Sequence, residues 1–368
     1  MNSRSSKGKG LYLIPILSKT LDVMELLEQE KKPLNLEQIH QRTGISKTTV
    51  FRILHTLVHR GYVSRPEDGR YRLVSRPRKL RFGFGGQSGE LPFSNAVTES
   101  LKKAAMSAGV DLVTLDNRYD GNVARQNVEE FITSNVDLVI EFQTEQYVAP
   151  IIADRLAAAG IPLVAVDIPH PNAVYFGIDN FRAGFDAGLL LAEAAERNWN
   201  GKVDLVVGLD LPKAGTLVQS RITGSFEAIR SRLPHITADK FFRLDGAGLR
   251  DESYKVMMQF LKKNAGARRI LVAVNNDVNA LGAIDAAREM KCERCLIAVG
   301  HDCIPEAMEE MKRKNSPLVG SVSHEVATYG PRLVQLGLSI IKGENVSPYN
   351  YVEHKVVRAE QATAAVIS

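Results

Sequence analysis

The chain has 368 residues, 44% of them apolar, and 47 Lys and Arg against 42 Asp and Glu. That length exceeds one ordinary core and implies roughly two to three domains. No apolar run approaches the ~20 residues of a membrane helix, and three cysteines give no even disulfide framework, as expected in a reducing compartment. The net charge of +5 is polarised: residues 1–80 carry 16 Lys and Arg against 7 Asp and Glu, leaving 31 against 35 for the remainder. A basic module on a mildly acidic body is the pattern of a chain that neutralises phosphates at one end only.

Arg4, Lys7 and Lys9 precede the apolar run Leu11 to Leu17, which imitates a signal peptide. The run is short, holds Pro15 and lacks a small-residue cleavage site, so 1–10 reads as a disordered basic arm and the protein as cytoplasmic, with no membrane segment. A first helix follows, with Leu17, Leu21, Met24 and Leu27 on one stripe that suits either its own core or a partner.

Leu36 to Arg42 reads as a short amphipathic helix, Thr43-Gly44-Ile45 as a turn, and Ser46 as the cap of another helix. Val50, Ile53, Leu54 and Leu57 recur there at helical spacing and define a core face. The opposite face carries Thr48, Arg52 and His55, flanked by Lys47, Thr49 and Phe51. Those hydrogen-bond donors, methyl groups and cations suit the major groove. Two short runs, Tyr62 to Arg65 and Arg70 to Leu73, flank Pro66-Glu67-Asp68-Gly69 and form a β-hairpin wing, with Arg65, Arg70 and Arg72 placed along the phosphates. Residues 11–74 thus form a winged helix-turn-helix, which alternatively serves protein contact alone. Residues 75–79 are a linker in which Pro77 discourages helix.

From residue 80 strand and helix alternate. Strands are predicted at 80–84, 111–115, 138–142, 163–166 and 175–178, then at 203–207, 241–244, 270–274 and 296–299. Helices fall between, at 93–108, 123–133, 147–159, 181–197, 217–231, 251–264 and 278–290. Two successive βα runs imply an α/β body of two doubly wound parallel lobes, the first at about 80–180 and 325–350, the second at about 181–324 and 351–360, with 361–368 as a tail. Ligands bind beyond the carboxyl ends of such strands, where Gln87, Asp116-Asn117, Asp167, Asn275-Asn276-Asp277, His301-Asp302 and Ser323-His324 lie.

Cys292, Cys295, His301 and Cys303 invite a zinc site. The strand between the two pairs separates them by more than roughly 15 Å, so no metal or cofactor is expected.

Residues 12–73 resemble the N-terminal domain of IclR-type regulators, on the lead-in Ile14 to Val23 and the run Lys47 to Leu54. From about 80 to 358 the chain resembles the type I periplasmic-binding-protein fold, especially ribose-binding proteins and the ligand-sensing domains of LacI-family repressors. The matching pieces include Ile161 to Asp167, Gly177-Ile178-Asp179-Asn180, Gln219 to Phe226, Val299 to Asp302 and Gly320 to His324. This resemblance implies Gln87, Phe93, Asp167, Arg221, Asn276, Asp302 and His324 around a ligand. Their chemistry suits a sugar: carboxylates and a guanidinium bond vicinal hydroxyls, and Phe93 faces ring C–H groups. Asp277 and Asp302 alternatively cap helices, and Phe93 alternatively fills core.

The expected function is a transcription regulator, not an enzyme, whose partners are an operator in double-stranded DNA, a sugar-like effector and a second copy, since one winged helix makes few contacts. Two other readings remain. Gly83, Gly85 and Gly89 after the first strand, with Asp116 after the second, suggest a dinucleotide-binding redox protein. A solute-binding receptor would use the same body.

Overall fold

A computed structural model describes residues 14–30, 32–66, 68–74 and 79–364. The expected arm at 1–10 and linker residues 75–78 lie outside the described residues, as do residues 365–368 of the expected tail. The chain divides into two compact units, Met1–Arg78 and Lys79–Ser368.

In the first unit α1 (Pro15–Gln29), α2 (Leu36–Thr43) and α3 (Lys47–His59) precede two short antiparallel strands, β1 (Val63–Ser64) and β2 (Arg72–Leu73). An isolated bridge between Leu34 and Tyr71 adds a third edge to the wing. Asn35 and Gln38 form a reciprocal capping box on α2, each side chain bonded to the other's backbone N–H. Gly44 closes that helix at φ +69°, a left-handed turn where a Cβ would be strained. Ser46 stands at the N-cap position of α3, but its hydroxyl lies 2.8 Å from Thr49 Oγ1 and makes no cap bond to the backbone, which corrects the expected capping role. Val50, Ile53, Leu54 and Leu57 are buried, with Val23, Leu27, Ile39 and Val63, as the helical period requires. In α1 the expected stripe divides. Leu27 is buried and Met24 partly so, whereas Leu17 and Leu21 are about half exposed.

The second unit opens with β3 (Arg81–Gly86), α4 (Pro92–Ser107), β4 (Asp111–Asp116), α5 (Gly121–Thr133), β5 (Leu138–Glu141), α6 (Ala149–Ala158), β6 (Leu163–Val166) and β7 (Val174–Ile178). It continues through α7 (Asn180–Trp199), β8 (Leu205–Asp210), α8 (Thr216–Arg232), β9 (Phe241–Asp245), α9 (Arg250–Lys263), β10 (Ile270–Val274), α10 (Asp277–Glu289) and β11 (Leu296–His301). Six further elements close it: α11 (Pro305–Lys312), β12 (Leu318–Ser323), α12 (Tyr329–Ile341), β13 (Tyr349–Val352), β14 (Lys355–Arg358) and α13 (Ala359–Ala364).

Two six-stranded sheets result, ordered β13-β7-β6-β5-β3-β4 and β14-β12-β11-β10-β8-β9. All their pairings are parallel except β12 with β14. The inner strands are buried on both faces, as parallel sheets covered by helices must be. The chain crosses between the lobes after β7, after β12, and between β13 and β14. Each crossing leaves or enters a strand at the same sheet edge, so the hinge lies along that edge. Tyr351 and Val352 pair with Gly177 and Ile178 and belong to the first lobe, not to the second from 351. Residues 361–364, expected as tail, complete α13, where Ala362 is buried against the second lobe.

Gly83 and Gly85 lie inside β3, and not in a phosphate-binding loop. A side chain at Gly83 would enter the Phe131 ring, and one at Gly85 the Glu141 carboxylate. Packing of the first lobe therefore accounts for two of the three glycines that suggested a dinucleotide site; the third, Gly89, lies beyond β3 with its N–H donating to Asp116 Oδ2 at 3.1 Å.

Candidate functional site

A cavity of about 80 Å³ lies between the lobes, at the carboxyl ends of strands from both sheets. All seven residues expected around a ligand line it. Gln87, Phe93 and Asp167 come from the first lobe, Arg221, Asn276 and Asp302 from the second, and His324 from the crossing segment after β12.

Asp167 is held by its backbone. It has φ +60° directly after β6, and the Ile168 N–H reaches the Val166 carbonyl at 2.7 Å, closing a three-residue turn. A side chain at Gly177 on the neighbouring strand would strike the Asp167 carboxylate, so glycine there leaves it room. Asp302 has φ +101° after β11. Such conformations cost about 1–3 kcal/mol each and persist where surrounding structure enforces them, often at binding sites. Burial pushes the Asp167 carboxyl up to about 6, against the opposing pull of Arg221. Asp167 Oδ1 has no hydrogen-bond partner. Burial also drives the Asp302 carboxyl well above its usual range, and the neighbouring charge of Asp277 adds to the effect.

Arg221 sits on α8 because α7 and α8 approach backbone to backbone. Side chains at Gly184 and Gly224 would collide with the Arg221 and Phe181 carbonyls of the facing helices. The close approach lets Arg221 Nη2 and Nε donate to Asn180 Oδ1 at 2.7 and 3.1 Å, while Nη1 donates to the Asn275 carbonyl. Its guanidinium is thus tied into the second lobe before any ligand arrives.

Asn276 has a double role. Its Oδ1 caps α10 by accepting from Asn279 N at 3.0 Å, and Nδ2 donates to the Gly248 carbonyl at 3.1 Å. The capping role considered for Asp277 belongs to Asn276. Asp277 is buried and accepts from Ser321 Oγ within β12 and from Ile304 N in the segment after β11, which ties the two together. Ile304, not Asp302, precedes α11 as its N-cap residue. His324 Nδ1 lies 3.3 Å from Asp302 Oδ1, and burial beside Arg221 keeps the ring neutral by lowering its pKa well below the usual value. Phe93 packs edge-on against Phe142, His324 and Tyr329, so it is both cavity wall and core. Gln87 Nε2 donates to Thr144 Oγ1 at 3.0 Å.

Sequence reasoning missed the apolar half of the wall. Ile168, Leu211, Ala214 and Val218 line the cavity and form one buried cluster spanning both lobes. It also missed Glu141, fully buried at the end of β5, whose carboxyl burial pushes up to about 8. Asn117 Nδ2 donates to Glu141 Oε1 at 2.7 Å.

A second contact joins the lobes at the sheet edge opposite the hinge, where β4 and β9 run. Tyr119 Oη donates to the Ala247 carbonyl at 2.8 Å, and Lys213 Nζ lies 3.7 Å from the Tyr119 ring centroid. Arg118, Tyr119 and Ala247 have φ of +52°, +59° and +53°, and side chains at Gly215 and Gly248 would meet Gln146 and Tyr119. Both glycines are needed for this close approach.

In the first unit, Lys47, Thr48, Arg52 and His55 are exposed on α3 and Thr49 is half-buried. Lys47 Nζ is 2.5 Å from Glu37 Oε2, a surface pair that occupies one of the expected cations. Arg65, Arg70 and Arg72 are exposed along the wing. Arg65 stacks over Tyr71 with 5.3 Å to the centroid, and Arg72 Nε donates to Ser64 Oγ at 3.1 Å. Phe51, 46% exposed beside His55, adds an apolar surface to this face of α3.

Among the described residues no His, Cys, Asp and Glu gather as a metal site, and no helix is long and apolar enough to cross a membrane. Cys292 and Cys295 precede β11, whereas His301 ends it and Cys303 follows.

Fold and cavity together define a two-lobed body of the type I periplasmic-binding-protein kind, joined in one chain to a helix-turn-helix unit. The model of the periplasmic binding protein domain family matches residues 82–345, and that of the IclR helix-turn-helix domain matches residues 16–67. The chain belongs to the periplasmic binding protein domain family and carries an IclR helix-turn-helix domain. No curated protein sequence matches it. Among solved structures it is similar to an ABC transporter solute binding protein from Mycobacterium smegmatis with bound glycerol, at 21% identity and TM-score 0.70 over 78% of this chain and 96% of that one. A second Mycobacterium smegmatis protein, in complex with β-D-fucofuranose, is 24% identical with TM-score 0.68 over 78% and 94%. An ABC transporter solute binding protein from Bacillus halodurans with bound myo-inositol is 22% identical with TM-score 0.66 over 79% and 99%. At these identities the likeness shows the fold.

Proposed function

We propose that the protein is a sequence-specific DNA-binding transcription regulator whose operator affinity is set by a small sugar-like effector held between the two lobes. The carrying observation is the joining, in one chain, of an IclR helix-turn-helix domain with a body whose interlobe cavity gathers Asp167, Arg221, Asn276, Asp302, Gln87, Phe93 and His324. Carboxylates and amides around an aromatic wall match a polyol, and the structural neighbours with bound glycerol, β-D-fucofuranose and myo-inositol favour the same ligand class. On this reading Thr48, Thr49, Arg52 and His55 face base edges, while Lys47, Arg65, Arg70 and Arg72 lie along phosphates. The protein works in the cytoplasm as a homodimer or higher oligomer and catalyses no reaction. Exposed Ile14, Ile16, Leu17 and Leu21 at the start of α1 supply an apolar surface for that association.

An effector touching Asp167 and Arg221 bridges the lobes and favours the closed cleft by its differential affinity for that state. The test is selection of binding sites from random duplex DNA, then gel shifts with and without sugars that raise the melting temperature. Ligand at 100 times its dissociation constant adds about 2.7 kcal/mol to the native state, which a thermal shift resolves. Absence of any selected DNA sequence, or operator affinity indifferent to a bound sugar, would refute the proposal.

A further inference from the structure

The cavity wall has a polar and an apolar part, supplied by residues close together in the chain. In the first lobe Asp167 is followed by Ile168, and in the second Val218 stands three residues before Arg221 on α8. Each lobe therefore contributes polar and apolar groups to the same cavity. In the polar part Asp167 Oδ1 has no partner. Asp302 is met at Oδ1 by His324 Nδ1, 3.3 Å away. Arg221 is already bonded to Asn180 and Asn275. One buried carboxylate oxygen without a donor, and a cation already engaged, call for neutral hydroxyls and disfavour an anion. In the apolar part of the wall Ile168, Leu211, Ala214 and Val218 are 3%, 7%, 1% and 6% exposed and pack on one another across the lobes. Their side chains offer no hydrogen bond, so a hydroxyl placed there loses its water without replacement.

Resting on the sugar reading above, we infer that the effector is a neutral sugar with an apolar end, the simplest being a 6-deoxyhexose, whose methyl group seats among Ile168, Leu211, Ala214 and Val218. A hydroxymethyl group in place of that methyl is disfavoured by about 10- to 100-fold, the discrimination an apolar pocket achieves against an added hydroxyl or a misfitting group.

The test uses the full chain in thermal shift and titration calorimetry with matched pairs: L-fucose and L-galactose, L-rhamnose and L-mannose, D-fucose and D-galactose. Galactose 6-phosphate and galacturonate are the anionic controls. The expected result is tight binding of one 6-deoxy sugar, its parent weaker by about 10- to 100-fold, and no binding of the anions. Val218→Thr, which keeps the side-chain shape, should bring that ratio toward one. Ala214→Ser reports the same change should the first variant fail to fold. A parent hexose binding as tightly as its deoxy partner, or a ratio unmoved in the folded variants, overturns the inference and leaves the sugar site standing. Binding of the anions alone, or of no sugar in the panel, overturns the inference and counts against the sugar reading as well.

Discussion

Tyr119→Phe isolates one hydroxyl at the contact between lobes. The ring stays beneath Lys213, while the 2.8 Å bond to the Ala247 carbonyl across the lobes is lost, together with the contact to Thr144 within the first lobe. Burial and the nearby Asp245 hold the phenol protonated by raising its pKa, so it is a donor at all physiological pH values. A hydrogen bond of this kind contributes about 0.5–1.5 kcal/mol net, which disfavours the closed state of the variant by roughly two- to tenfold. In the open state the phenol and the carbonyl both reach water, so little is lost there. Apparent effector affinity scales with the closed fraction. A protein that is mainly open without effector should therefore bind the best sugar of the thermal-shift panel about two- to tenfold more weakly after substitution, mostly through faster dissociation. A protein that is mainly closed should instead show an expanded radius of gyration in small-angle scattering, with little change in affinity. If the variant matches wild type in both calorimetry and scattering, the bond does not bias closure and the reasoning fails.

Arg52→Ala should cost roughly 1–3 kcal/mol in operator binding and relax base preference, whereas Arg70→Ala should weaken binding to all sequences and flatten its salt dependence; gel shifts over a salt series separate the two. Effector hydroxyls donate to ionised Asp167, whose carboxyl is raised to about 6, so affinity should fall by up to about tenfold per pH unit below that value and level off above it. Calorimetry in buffers of different ionisation enthalpy should detect the released proton near pH 6, and a pH-independent affinity would contradict this role. Glu141, raised from 4.5 to about 8, contributes stability that is fully present below pH 4.5 and lost as pH rises toward 8. Glu141→Gln removes that loss, so its melting temperature relative to wild type should climb between pH 5 and pH 8; a constant difference would show that Glu141 ionises freely in the fold.

The local patterns of the chain determined much of this architecture. A 3.6-residue period marked Val50, Ile53, Leu54 and Leu57 as the buried face of α3 and left Arg52 and His55 outside, because helical geometry alone decides which residues share a side. Alternating βα segments likewise foretold two parallel lobes, and matching motifs at the strand ends identified seven residues that line one cavity. Tertiary structure decided what those residues are bonded to. Arg221 meets Asn180 only because Gly184 and Gly224 let two helices touch along their backbones, and 41 residues separate the pair in the chain. Ile168, Leu211, Ala214 and Val218 are individually indistinguishable from core, since hydrophobicity in sequence carries no record of whether a side chain faces another residue or a ligand. Tyr119 and Ala247 lie 128 residues apart, and their bond exists only where the free edges of two separate sheets come together. Periodicity and strand-end position are local and therefore legible; partners are set by how the lobes pack, a property of the whole body that no short stretch of sequence contains.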